Sequence, residues 1–382
     1  MPTEPFQPKW EPVSRSNNET VLSAPAAGAP QLFSTYHWPL LLALAGIMLL
    51  ISVLSLGTGA VSIAPERVMQ VLWTALSGEN DPALAGERLV IIGIRLPRTL
   101  LGLLVGATLA VSGALMQGLF RNPLADPGLA GVSSGAGLAA AITIVLGPSI
   151  AVSLGWGDAP PPFAVLPIAA FCGSLLVTWL LYALSTRNGE TRVATLLLAG
   201  VALAALTGAA TGLLSFMSDD RQLRDLTFWS LGSIGGASFD KLFVVAPALL
   251  PVLIAVPFLA RGLNAMSLGE AEAFHLGMPV QRIKRLTLLL VSIAVGAAVS
   301  VSGVIGFVGL VVPHLLRLLA GADHRLLLPA SALLGGSLLV AADCLARVIV
   351  APAELPIGIL TAAIGAPFFL WLLLTRSREL SA

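Results

Sequence analysis

The chain has 382 residues, 56% of them hydrophobic and only 11% charged, with a mean hydropathy of +0.91. Charged residues make up about a quarter of an ordinary soluble domain, so this composition calls for lipid rather than water as the solvent. The 21 basic and 20 acidic residues leave a formal net charge of +1, which gives no nucleic-acid partner and no acidic ligand held by bulk charge.

Residues 1–36 are polar and rich in Pro, Ser and Asn. They cannot bury enough apolar surface to offset ordering, and read as a disordered cytoplasmic tail ahead of a transmembrane domain over 37–382. No short apolar core followed by a small-residue cleavage site is visible, so the first apolar run is expected to stay as a membrane anchor. A span needs roughly 20 mostly apolar residues. Ten segments qualify: 38–57, 97–119, 128–147, 163–184, 193–214, 240–260, 286–303, 304–320, 326–346 and 356–375. The expected fold class is therefore an all-α membrane protein with ten transmembrane helices. Within 286–320 the apolar run is continuous, and Ser302-Gly303 marks the turn that divides it.

Basic residues concentrate in cytoplasmic loops of membrane proteins. With the N-terminus inside, thirteen Lys and Arg fall on the cytoplasmic side and eight outside. Both termini are then cytoplasmic, and the basic cluster of 261–285 lies inside.

Glycines Gly102, Gly106, Gly113, Gly296, Gly303, Gly306 and Gly309 fall in or between spans, where small residues let helix backbones approach closely. Cys172 and Cys344 sit in apolar runs without metal-ligand spacing and read as buried packing residues. Asp343 and Arg347 are one helical turn apart and can pair. His314, after Pro313, reads as a polar packing residue. None of the three lysines follows a glycine-rich phosphate loop, so nucleotide hydrolysis belongs on a partner and the chain is not itself an enzyme.

The segment Glu270, Ala271, Glu272, Ala273, Phe274, His275, Leu276, Gly277 mixes acids with small and apolar residues and ends on a glycine cap. It predicts a short helix on the basic side that can seat in a partner's groove.

At this point the text as a whole resembles a known family, the FecCD-type permeases of type II ATP-binding-cassette importers for iron siderophores, haem and cobalamin. The matching text includes Arg95-Leu-Pro-Arg98, Gly113-Ala-Leu-Met-Gln117, Arg121-Asn-Pro-Leu-Ala-Asp-Pro-Gly128, Leu196-Leu-Leu-Ala-Gly200, Trp229-Ser-Leu-Gly-Ser233, His275-Leu-Gly277, Gly306-Phe-Val-Gly-Leu310, Ala341-Ala-Asp343 with Arg347, and Leu355-Pro-Ile-Gly358. It runs from about residue 38 to the end.

The resemblance implies a type II importer bundle of ten helices per subunit, in a homodimer with its path at the dimer axis. It further implies two cytoplasmic ATPase subunits, which carry ATP and Mg, a periplasmic substrate-binding protein, and the bacterial inner membrane. On the same resemblance, no cofactor or metal is expected on this chain. Arg95, Arg98 and Arg347 match positions that receive acids of the binding protein, a task that suits the planar, always-charged guanidinium. Residues 270–277 match the helix that couples the ATPase to the bundle. Asn122, Leu124, Val193 and Ala194 match cytoplasmic gates, although Arg192-Val193-Ala194 stands where relatives have a Ser/Thr cluster. The stretches 219–229 and Val132-Ser-Ser-Gly135 resemble haem-type members most, with ferric siderophores and cobalamin as alternatives. A stand-alone secondary carrier is the rival from another class.

Overall fold

The computed structural model describes residues 37–382 except 60, 80, 154, 156–164, 188–189 and 381–382, so the predicted tail over 1–36 lies outside the described residues. Contacts divide the chain into Met1–Trp38 and Pro39–Ala382, and the second unit holds the helical bundle.

In chain order the helices are α1 His37–Gly57, α2 Pro65–Ser77, α3 Ala85–Arg88, α4 Leu96–Phe120, α5 Val132–Val145, α6 Gly147–Ser153, α7 Val165–Ser185 and α8 Val193–Met217. There follow α9 Asp220–Leu231, α10 Phe239–Ala255, α11 Ala260–Leu268, α12 Glu270–His275, α13 Val280–Ser302, α14 Val308–Ala320, α15 His324–Ile349 and α16 Ile357–Leu380. Between α7 and α8, β1 (Thr186–Arg187) and β2 (Glu190–Thr191) form an antiparallel ladder pairing Thr186 with Thr191.

Each of the ten predicted segments contains a helix, but not all are long. Among the described residues seven helices are long and apolar enough to cross a membrane, eight if the bent pair α5 and α6 is one span, and Val308–Ala320 is a shorter apolar helix; α16 runs for 24 residues. The bend between α5 and α6 is 56° and falls at Gly147-Pro148, where the proline ring and its missing N–H interrupt the ladder. Helix α14 is short because Gly303 (φ 66°) and Phe307 (φ 67°) both take left-handed backbone, which keeps 303–307 out of the helix. Its 13 residues reach about 20 Å, less than the roughly 30 Å hydrocarbon layer. The predicted break at Ser302-Gly303 is where α13 ends.

The bundle is built around α4. The long helical run Pro82–Phe120 that contains it is 83% buried over its apolar window, against 17% for α1 and for α8. Small residues make this possible. A Cβ on Gly106 would overlap the backbone of Gly335 on α15, and one on Gly113 would fall inside the carbonyl of Gly309 on α14. Such close crossings replace the hydrophobic drive that lipid removes. The outer helices carry Leu42, Leu49, Leu198 and Phe216 largely exposed, a surface that only an apolar solvent or a partner of like character tolerates.

Several helices lie outside the ten segments, α2 and α9 among them. Amphipathic α2 buries Val68 and Val71 while exposing Trp73 and Leu76, and α9 opens with a capping box in which Asp219 and Gln222 satisfy each other's backbone N–H. Cys172 departs from expectation as well: it is exposed, whereas Cys344 is half-buried. An α7 position facing out of the bundle needs no polar solvent, so a small thiol is tolerated there.

Candidate functional site

Contacts between distant segments define two ends of the bundle. At one end the close of α1 meets α4 and α15, and here the structure places Arg95, Arg98 and Arg347 together. All three are buried. Arg98 Nε and Nη2 reach Asp343 Oδ1 at 3.0 and 2.8 Å, and Nη1 reaches Glu354 Oε1 at 2.7 Å. Arg347 Nε lies 3.1 Å from Asp343 Oδ2, so one carboxylate serves two guanidiniums. Arg347 Nη1 also donates to the carbonyls of Ser55 and Thr58 at 3.2 and 3.0 Å, and Nη2 to Ser55 Oγ at 2.8 Å. Arg95 donates to the Leu56 carbonyl at 2.7 Å and to the Val61 carbonyl.

The chemistry of this cluster is that of a helix terminus. The last carbonyls of α1 have no intrahelical donors and carry the negative end of its dipole, and Arg95 and Arg347 satisfy both needs. Three cations face two acids, and the dipole of α1 offsets part of the excess. The expected pairing of Asp343 with Arg347 is present, and Arg98 completes it. The guanidiniums expected to reach outward are thus engaged within the chain; the charged group at the exposed rim is Glu354, half-open to solvent.

An open groove of about 480 Å³ lies between α5, α8 and α9, lined by Ser133, Ser134, Thr211, Thr227, Ser230 and Trp229 with no charged residue among its lining. The two stretches singled out in the sequence therefore meet on one wall. A second groove, of about 260 Å³, shares Trp229 and adds Phe228, Ser233 and Lys241. Lys241, in the first turn of α10, has no acid within ion-pairing distance among the described residues. Gly131-Val-Ser133-Ser-Gly135 also has the spacing of an esterase nucleophile motif. It opens helix α5 after a 3-10 turn rather than following a strand, and no histidine lines the 480 Å³ groove, so the context for nucleophilic chemistry is missing.

At the other end, the predicted short helix is α12. Ala273 is its inward anchor, fully buried, while Phe274 and Leu276 are exposed at 72% and 60%. Gly277 closes the helix at φ 78°. The outward face therefore consists of Ala271, Glu272, Phe274 and His275. A cavity of about 550 Å³ lies beside it, bordered by Glu190 and Phe274.

Of the four gate positions, Asn122 and Leu124 stand in the turn after α4, where Asn122 Oδ1 accepts the Leu124 N–H at 3.0 Å and Arg121 takes the left-handed cap at φ 51°. Val193 and Ala194 begin α8, Ala194 exposed. In the following turn the Asp126 side chain accepts the Gly128 N–H at 2.7 Å. Burial raises the Asp126 carboxyl above the ordinary carboxylate range, with the Gly128 N–H acting against it. His314 is buried, its ring edge-on to Phe368 with centroids 6.3 Å apart, in agreement with a packing role. Among the described residues no group of three or more His, Cys, Asp or Glu is placed to hold a metal ion.

Comparison with known proteins gives a consistent set of relatives. The model of the FecCD transport family matches residues 47–375. The hemin transport system permease HmuU of Yersinia pestis is 48% identical over 338 residues, 87% of this chain and 95% of that one. The cobalamin import system permease BtuC of Halobacterium salinarum is 48% identical over 77% of this chain and 75% of that one. The vitamin B12 import system permease BtuC of Salmonella typhi is 43% identical over 88% and 95%. A solved structure assigned to the metal-chelate type of ABC transporters, in an inward-facing conformation, superposes with a TM-score of 0.76 at 33% identity, covering 88% of this chain and 99% of that chain.

Proposed function

The chain belongs to the FecCD transport family, and from that premise we propose that it is the membrane-spanning subunit of an ATP-driven importer whose cargo is haem. It performs no covalent chemistry. ATP is hydrolysed by two cytoplasmic subunits docked on the outward face of α12, and a periplasmic binding protein delivers cargo at the arginine end, where Glu354 and the loop around it form the rim. Two copies enclose the path in the bacterial inner membrane. Asn122, Leu124, Val193 and Ala194 constrict it at the inner end, and ATP acts by favouring one of two arrangements of the assembly.

The observation that supports haem is the uncharged wall of the 480 Å³ groove, where hydroxyls of α5, α8 and α9 share the lining with Trp229. A flat macrocycle with an apolar body and polar edges fits an aromatic wall with scattered hydroxyls. The identity to a hemin permease over 95% of its length supports the same cargo. A corrinoid is the second reading, favoured by the equal identity to a cobalamin permease.

The test is uptake into proteoliposomes carrying this chain, its ATPase and its binding protein. Haem accumulation that requires ATP, exceeds cobalamin accumulation and falls at least about tenfold in Trp229→Ala is expected. Preferential cobalamin uptake would replace haem with the second reading. Uptake by this chain alone, driven by an ion gradient, would overturn the importer.

A further inference from the structure

Opposite the arginines, one lysine has a position that the transport reading leaves unused. Lys284, in the second turn of α13, is 2% exposed. Its Nζ donates to Glu270 Oε2 on α12 at 2.7 Å and to the Thr191 carbonyl at 3.0 Å. Gln281, three residues earlier and so on the same face of α13, accepts the Thr191 N–H through Oε1 at 3.1 Å. Both backbone groups of Thr191 are thus held by side chains of α13.

Thr191 ends the β2 strand, and the next residue, Arg192, is the N-cap of α8. Its carbonyl accepts the Leu196 N–H at 3.0 Å. Elsewhere along this boundary α12 and the hairpin stand apart, since the 550 Å³ cavity bordered by Phe274 and Glu190 lies between them. A buried ammonium must keep its acceptors, because each lost bond leaves a buried charge unsatisfied. Displacing α12 therefore draws on Thr191 through Lys284.

We propose that Lys284 is a positioning residue that transmits movement of α12 to the start of α8, through the chain Glu270, Lys284, Thr191, with Gln281 keeping Thr191 in register. This rests on the reading of α12 as the ATPase contact and of Val193 and Ala194 as a gate, and it names the linkage between them.

The experiment has two arms. In the first, hydrogen exchange is followed on the full-length chain: Lys284→Met is expected to speed exchange about tenfold in both α12 and residues 190–192, and Lys284→Arg to restore both. Acceleration confined to α12 overturns the linkage. In the second, the complete importer in proteoliposomes is expected to lose about tenfold in cargo moved per ATP in Lys284→Met, with ATP hydrolysis changed less than about twofold and Lys284→Arg recovering most of the coupling. Unchanged cargo per ATP in Lys284→Met overturns the proposal. Should Lys284→Met fail to accumulate, Glu270→Met, which removes the acceptor on α12, and Gln281→Met, which frees the Thr191 N–H, are expected to give intermediate losses in both arms, and wild-type behaviour in both variants overturns the proposal equally. A wild-type complex that shows no ATP-driven uptake while the exchange linkage holds would sink the importer reading alone.

Discussion

The two ends of the bundle use the same device, a buried cation donating to backbone carbonyls, and differ in how redundantly they use it. At the arginine end, Arg98 and Arg347 share Asp343, Arg98 also holds Glu354, and Arg95 and Arg347 bind the last carbonyls of α1, so that α1, α4 and α15 are tied together and losing one bond leaves others in place. At the α12 end, one ammonium spans α12, α13 and the hairpin with one acid and one carbonyl. Redundant networks hold a shape, whereas sparsely bonded elements open at low cost and are the ones that move. The difference teaches that the arginine end is a fixed frame and the α12 end the movable one.

The sharpest way to break this comparison is to remove the shared carboxylate. Asp343→Asn strands two buried guanidiniums and is expected to cost about 3–5 kcal/mol of stability, read as a fall in thermal midpoint of the full chain in detergent. Its control, Glu354→Gln, removes a half-exposed partner and should cost less than about 1 kcal/mol. Equal effects would contradict a frame centred on Asp343.

Packing within the frame gives the next largest effect. Gly113→Val drives a side chain into the Gly309 backbone and is expected to cost about 1–3 kcal/mol or more. The same change at Gly306, which has open space around its Cβ position, should cost markedly less in the same melting assay. Comparable losses would show that the α4–α14 crossing is not the tight one.

At the movable end, Phe274→Ala should leave the melting temperature unchanged, because the ring is exposed. It should weaken ATPase binding about tenfold or more, measured by titrating the ATPase subunit onto the chain in nanodiscs. Ala273→Leu is the contrasting change: its site is buried, so it should dislodge α12 and lower stability.

The smallest effect concerns Asp126. Because burial holds its carboxyl above the usual range, the native chain binds this proton more tightly than the unfolded chain does. Stability is therefore greatest below the ordinary carboxylate range and declines as pH rises through the unfolded and then the folded value. Asp126→Asn keeps an acceptor for the Gly128 N–H, and a flatter dependence of melting temperature on pH is expected. An unchanged slope would remove this account of Asp126.

Particular residues show where the fold was legible in advance. Ser302-Gly303 broke an otherwise continuous apolar run, and the structure breaks there for a local reason, the left-handed backbone of Gly303. The α12 helix was legible because its acids, small residues and Gly277 cap all lie within eight positions. Helices α2 and α9 were not, because a search for long apolar runs passes over short amphipathic segments, although the Asp219 and Gln222 capping pair was a readable signal. The direction of the arginines was not legible either. Arg98 turns inward to Asp343, 245 residues away in sequence, and no local pattern reports such a partner. For the same reason the Lys284 linkage was hidden: Thr191 is 93 residues from it, and in the sequence Lys284 is one more base in a basic loop.

The central claim is that the frame and the movable end face opposite sides of one membrane, with α12 inside. Its most direct test is thiol labelling of single-cysteine variants, Ala353→Cys and Phe274→Cys, in a background with Cys172 and Cys344 replaced by serine. In intact spheroplasts an impermeant maleimide should label Ala353→Cys at once and Phe274→Cys only after the membrane is permeabilised. Labelling of Phe274→Cys in intact spheroplasts would put α12 outside, out of reach of any cytoplasmic ATPase, and contradict the account.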